Sequence, residues 1–195
     1  VKLNLGCGKQ PREGWVNLDA CDLPGVDVVC QWGREPLPFG DDTVEEARAE
    51  HVLEHLAEAL PAMQELWRVA APGALFTVTV PHGGSDGAWE NPTHVRPYFP
   101  DSFQFFGQPY YWREDYGYQG DWQVRTVTLA VAEQHLAPGG RFAKAPLEFV
   151  VQELRERRNL VLELRAVLEA VKPPRLPLLG LQEGYETRIA PARIA

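Results

Sequence analysis

Apolar positions along the chain fall into short runs, most of them closed by glycine, proline or aspartate. Lys2–Leu5 and Val16–Asp19 each read as a strand ending on a turn signal, and the β-branched run Val26–Cys30 reads as a third. Glu45–Ala49 is a fourth, weaker strand candidate. The period then changes. His51–Ala59 and Pro61–Ala71 place Val52, Leu53, Leu56, Leu60, Met63, Trp67 and Ala70 on one helical face. Pro61 fits the first turn of a second helix better than the interior of one long helix. Ala71-Pro72-Gly73 ends that helix, and Ala74–Val80 (ALFTVTV) is the clearest strand in the chain. Gln123–Val131 is another strand and Pro146–Arg157 a helix. Alternation at Leu160, Leu162, Leu164 and Ala166 favours a strand over a continuation of that helix.

Between these elements, Pro81 to Trp122 is rich in Gly, Pro, His and aromatics. A stretch of that length without a regular period is usually functional or disordered, and its aromatics argue against disorder. It is expected to form an acceptor-site or lid insertion within a domain spanning residues 1–172. Residues 173–195 form a proline-punctuated tail expected to lie extended over the surface. Strands alternating with helices in the first half predict an α/β layered fold with a mostly parallel sheet. The first crossover, residues 6–15, is too short for an ordinary helix.

Composition narrows the classes. A chain of 195 residues with 45% hydrophobic content is expected to fold as one domain with a real core. No run approaches the roughly 18 apolar residues of a membrane span, and Lys2, followed by polar residues and glycines, does not open a leader peptide. A formal charge of −8 disfavours a duplex nucleic-acid binder. Arg155, Arg157 and Arg158 interleave with Glu153 and Glu156 and read as a solvated helix face. Three cysteines with no CxxC pair predict reduced thiols, hence a cytoplasmic protein.

The candidate chemistry lies at strand ends, where open α/β sheets bind ligands. Gly6-Cys7-Gly8 follows the first strand and Asp19 ends the second. A backbone free to approach a ligand, beside an acid able to accept from hydroxyls, suits a nucleoside. The series LNLGCG, VNLDA, PLPFGDD, EEARAEHVLEHL, ELWRVAAPG and VTVP resembles a class I S-adenosylmethionine-dependent methyltransferase, most closely the small bacterial methyltransferase-11-type proteins of unassigned substrate. The likeness is dense over Val1 to Pro81 and returns at Asn91–Arg96. It implies a Rossmann-like methyltransferase fold: a mostly parallel central sheet flanked by helices, with the shortened crossover and the aromatic insertion added. It implies S-adenosyl-L-methionine as cofactor, with Gly6, Cys7 and Gly8 along its methionine part, Asp19 on the ribose hydroxyls and Ala20 beside the ribose. Gln31 and Trp32 stand where the family contacts adenine, and Glu50 and His51 near the methionine amino group and sulfonium. Asn4 takes the place of the usual acid of the first motif, Gln10 that of its third glycine, and Gln31 that of an aspartate often found after the third strand.

Other readings of these residues were weighed. A nicotinamide-binding fingerprint requires G-x-G-x-x-G opening a helix, and Pro11 occupies the third glycine position. The His51 and His55 pair has the i,i+4 spacing of a zinc site, but Glu54 is misplaced for H-E-x-x-H and no third ligand is evident, so no metal is called for. His82 and His94 lie in the aromatic insertion, where His94 is the candidate acceptor-side general base. The expected activity is methyl transfer to an unidentified, small-molecule acceptor, without membrane or duplex nucleic-acid partners. A non-catalytic protein binding S-adenosylmethionine or S-adenosylhomocysteine, and an RNA or protein methyltransferase, stay open as alternatives.

Overall fold

A computed structural model describes residues 1–179 and 184–192. Its centre is an eight-stranded sheet ordered β3-β2-β1-β4-β5-β7-β6-β8. The strands are β1 (Lys2–Leu5), β2 (Val16–Asp19), β3 (Val28–Val29), β4 (Val44–Glu50), β5 (Ala70–Pro81), β6 (Trp122–Val131), β7 (Val161–Ala170) and β8 (Glu186–Pro191). β7 runs antiparallel to both its neighbours, and every other pairing is parallel. The helices are α1 (Ala59–Val69), the single turns α2 (Gly87–Glu90) and α3 (Glu133–Leu136), and α4 (Leu147–Glu156). The α/β, mostly parallel architecture expected from the sequence is present. The tail adds something unforeseen, because its residues 186–191 join the sheet beside β6 as an edge strand.

Strand periodicity decides where the core sits. Leu3, Leu5, Ala47, Ala49, Phe76, Val78, Leu164, Ala166, Val127 and Leu129 all belong to one buried cluster. Against them pack Ala62, Met63 and Leu66 of α1, and Val150 and Leu154 of α4. Tyr98, Phe103, Phe106, Tyr111 and Tyr118 from the insertion join the same cluster. Those aromatics therefore do the packing that a regular helix would do in the second half of the fold. The alternate positions form polar rungs. Glu50, Thr79, Arg165, Thr128 and Arg188 align across β4, β5, β7, β6 and β8, and none of them is buried.

Two predicted elements change. The helix expected over His51–Ala59 is reduced to one 3₁₀ turn, Leu53–His55. His51 takes a left-handed conformation, φ 53°, and Leu56 is extended, so no helix can run through either position. The break expected at Ala71-Pro72-Gly73 is instead a bulge inside β5: Val44 pairs with Ala70, and the ladder resumes only at Glu46 with Leu75.

The first crossover has no helix and is held by side chains instead. Buried Asn17 on β2 accepts from the Arg12 N–H at 2.6 Å and from Asn4 Nδ2 at 2.9 Å. Its own amide donates to the carbonyls of Arg12 and Trp15, both at 3.2 Å, and to Asp27 Oδ2 at 3.1 Å. Asn17→Ala leaves these groups without partners, so it is expected to lower unfolding free energy by about 2–4 kcal/mol. Urea denaturation checks this, and an unchanged midpoint would show that the loop needs no such anchor.

Candidate functional site

The ends of β1, β2, β3 and β4 open on one side into a cavity of about 490 Å³. Of the residues singled out in the sequence, Gly6, Asp19, Ala20, Gln31, Trp32 and His51 line it. A larger cleft of about 1310 Å³ crosses the polar face of the sheet; its walls include Asn4, Cys7, Gly8 and Glu50. The two share Gly6 and His51. The strand ends thus gather all ten of these residues around two adjoining spaces.

Each wall has a local cause. Gly6 has φ 61°, and a Cβ there would stand 2.4 Å from Val52 Cγ2, so only glycine fits without displacing the turn after β4. Asp19 Oδ2 accepts from the Gly8 N–H at 2.8 Å and Oδ1 from the Cys21 N–H at 2.9 Å. Each oxygen keeps further lone-pair capacity for a ligand hydroxyl. Asn4 donates to Asn17 Oδ1 and to the Gln10 carbonyl, which places it under the glycine loop as its support. Trp32 is buried, its indole donating to the Ala62 carbonyl at 2.9 Å and its ring edge-on to Phe76. Its ring belongs more to the core than to the cavity.

His51 stands at the junction. Its Nδ1 lies 3.3 Å from Glu54 Oε1 and its Nε2 3.1 Å from Glu163 Oε1. Hydrogen bonding to Glu163, then to Glu54, outweighs partial burial and pushes its pKa up to about 10. A bulky residue held at positive φ between two carboxylates is a strained arrangement of the kind found at functional sites.

His55, Val52 and Leu56 also line the smaller cavity, although the sequence suggested only a helix face for them. The insertion closes over this turn. Val95 N–H donates to the Glu54 carbonyl at 2.9 Å, Arg96 Nη2 to Ala57 O at 2.8 Å, and Tyr98 Oη to Leu53 O at 3.3 Å. His94 is thereby set beside His55, their ring centroids 4.8 Å apart. His82, the other histidine of the insertion, is buried, and burial lowers its pKa.

No family model matches the chain, and no curated protein matches it in sequence. Among solved structures it is similar to a S-adenosylmethionine-dependent methyltransferase from Archaeoglobus fulgidus, with a TM-score of 0.57, 15% identity and coverage of 86% of this chain and 85% of that one. It is also similar to a chain of the complex between the Haloferax volcanii Trm112 methyltransferase activator and a putative methyltransferase, with TM-score 0.53, 14% identity and coverage of 89% and 83%. A possible histamine N-methyltransferase from Thermotoga maritima matches with TM-score 0.51 and 11% identity over 88% of this chain and 82% of that one. The chain has the Rossmann-like fold of the class I methyltransferases.

His51 offers a test of the junction that needs no ligand. His51→Asn keeps a residue that tolerates positive φ but removes the cation beside buried Glu54. Because the imidazole is 45% exposed, the expected loss is modest, about 1–2 kcal/mol of unfolding free energy. Adding Glu54→Gln should recover part of it. Thermal and urea denaturation of the single and double variants decide this; additive losses would mean that the two side chains are independent.

Proposed function

We propose that this protein is an S-adenosylmethionine-dependent methyltransferase acting on a small-molecule acceptor. The observation that carries the reading is the pairing of Gly6, where no Cβ fits, with Asp19, a carboxylate with spare acceptor capacity, on the wall of one cavity at parallel strand ends. The fold shared with the methyltransferases named above supports it.

In this reading Asp19 takes the ribose hydroxyls, and Ala20 lies beside the ribose. Gln31 and the rim of Trp32 flank the adenine, and Gly6 to Gly8 give backbone to the methionine part. Glu50 faces the ligand's amino group. His51 stands near the methionine amino group and sulfonium, where the carboxylates of Glu54 and Glu163 that hold both its ring nitrogens offset its charge. Asn4 acts from below, through the loop. When bound, the cofactor supplies an activated methyl group, and the chain's part is to hold donor and acceptor in line and exclude water. The acceptor side is assigned to the insertion, residues 81–122, with His94 as its candidate base. His94 Nδ1 lies 3.1 Å from the Ala88 carbonyl, an acceptor only, so Nδ1 carries the proton and Nε2 holds the lone pair. The net charge of −8 favours a small molecule over a nucleic acid.

Calorimetry with S-adenosylhomocysteine tests the cofactor assignment. Asp19→Ala removes charge-assisted hydrogen bonds and should weaken binding by about 2–3 kcal/mol, or 30- to 150-fold. Gly6→Val should abolish it. Normal binding by either variant would remove that residue from the site. No binding by the unmodified protein would overturn the reading. Radiolabelled S-adenosylmethionine with a fractionated lysate then separates catalysis from binding alone: label should appear in the small-molecule fraction, not in protein or RNA.

A further inference from the structure

The turn after β4 and the insertion bring together three side chains that the sequence keeps apart. Glu54, His55 and His94 each place a ligand-capable atom within 4.8 Å of the others. We propose that they form a binding site for a late first-row divalent cation such as zinc, held by two imidazoles and one carboxylate. The site itself does not depend on the cofactor assignment.

Three observations point to a cation. First, Glu54 is 2% exposed; its Oε1 has only the His51 imidazole at 3.3 Å, and its Oε2 has no partner among the described residues. A buried carboxylate oxygen without a hydrogen bond is costly. Its ion-pair partner, His51, is shared with Glu163, so two carboxylates converge on one imidazole.

Second, both histidines are oriented as metal ligands usually are. His55 Nδ1 stands 3.1 Å from the Thr93 carbonyl, and His94 Nδ1 3.1 Å from the Ala88 carbonyl. A carbonyl can only accept, and the Thr93 hydroxyl, 3.0 Å from His55 Nδ1, donates to Asn91, so each ring donates from Nδ1 and Nε2 is the nitrogen left to face an ion. Backbone carbonyls holding the far nitrogen in this way fix tautomer and ring orientation in metal sites.

Third, the donor set is chemically coherent. Two imidazoles and a carboxylate suit zinc and its first-row neighbours and leave a coordination position open. Ligating atoms around a tetrahedral zinc lie about 3.3–3.5 Å apart. Closing from 4.8 Å requires shifts of about 1 Å, which the exposed His55 ring and the half-buried His94 ring can make. His55 also lines the smaller cavity, so the open position adjoins it. On the methyltransferase reading, that position would bind the acceptor's hydroxyl, amine or carboxylate and ease its deprotonation. His94 Nε2 would then act as a ligand and not as a free base.

Cobalt(II) is the probe, because coordination by nitrogen and oxygen ligands gives it a visible spectrum that zinc(II) should abolish by displacement. The chelator-treated protein is expected to bind one cobalt per chain. His55→Ala and His94→Ala should each weaken binding at least tenfold, as should Glu54→Gln, while His135→Ala leaves it unchanged. Circular dichroism guards against unfolding of the Glu54 variant, and the two histidine variants carry the test if it fails to fold. Absence of cobalt binding overturns the proposal, as does equal binding by all variants. Loss in His51→Asn but not in His94→Ala also overturns it, since the ion would then sit between His51 and its carboxylates. S-adenosylhomocysteine calorimetry on His94→Ala keeps the two readings apart. Retained affinity with lost cobalt supports the metal site whatever the acceptor, whereas failure of the unmodified protein to bind S-adenosylhomocysteine leaves the cobalt result to stand alone.

Discussion

Everything in this fold depends on a sheet that buries one face. Parallel sheets normally have helices on both sides and read as continuous apolar runs. Here β4 to β7 alternate over their central residues, with Ala47, Phe76, Val127 and Leu164 inward and Arg48, Thr77, Thr126 and Arg165 outward, interrupted by the irregularities in the β4–β5 and β6–β7 ladders. A one-residue slip in any of these strands would exchange the two sets, so the alternation fixes register as well as burial. It also accounts for the absence of helices from the first three connections. With no apolar face on the far side, an amphipathic helix would have nothing to cover. The polar rungs hold themselves through cross-strand and same-strand pairs such as Lys2 with Glu46, Arg48 with Glu50, and Arg125 with Glu169. These are exposed or half-exposed pairs of small individual worth. Their main effect is to keep that face soluble, while the single apolar layer supplies most of the stability.

The short crossovers have a direct consequence for the site. In a longer βαβ unit the helix following the glycine turn fixes the loop's position; here Asn17 does so, with Asn4 and Asp27 as its partners. One buried amide engaged on both sides stands in for that helix. The glycine loop is therefore anchored at Gly8 by Asp19, which accepts its N–H, and at Arg12 by Asn17. Both anchors lie on β2, two residues apart, so the glycine loop and the candidate ribose acid move as one body. That is a compact way to pre-organise a nucleoside site, since the group that would contact the hydroxyls also fixes the loop that would contact the rest of the ligand.

Much of this was legible in the sequence because the relevant signals are local. Strand runs closed by glycine or aspartate placed β1, β2, β5, β6 and β7, and the strand-end rule placed Gly6, Asp19 and Gln31 around one cavity. What escaped was set by tertiary contacts. The HVLEHL run has helical spacing, yet His51 at positive φ ends the strand in a conformation no helix can continue, and only the ion pairs to Glu54 and Glu163 explain why it is held there. The i,i+4 spacing of His51 and His55 offers no third ligand, and no metal is read from it. His94 comes from a segment some forty positions away, and no pattern in one chain reports that it folds back onto Glu54 and His55. The buried aromatics of the insertion belong to the core, because an uncovered sheet face claims large apolar side chains first.

That packing limits how the insertion can work. Contacts from Thr93, Val95, Arg96 and Tyr98 run along the turn from Leu53 to Ala57, four hydrogen bonds within six residues. At about 1 kcal/mol net each, they contribute roughly 4 kcal/mol. Burying the Tyr98 ring adds about 2 kcal/mol. Lifting this segment away would cost about 6 kcal/mol, an open population on the order of one in ten thousand. A lid that swings clear at each turnover would be expected to have few such contacts. These contacts tie the segment to the turn after β4 along its length. The turn after β4 is then the mechanical link of the molecule: Val52 limits the space at Gly6, His51 faces both cavities, and Glu54 and His55 meet the insertion.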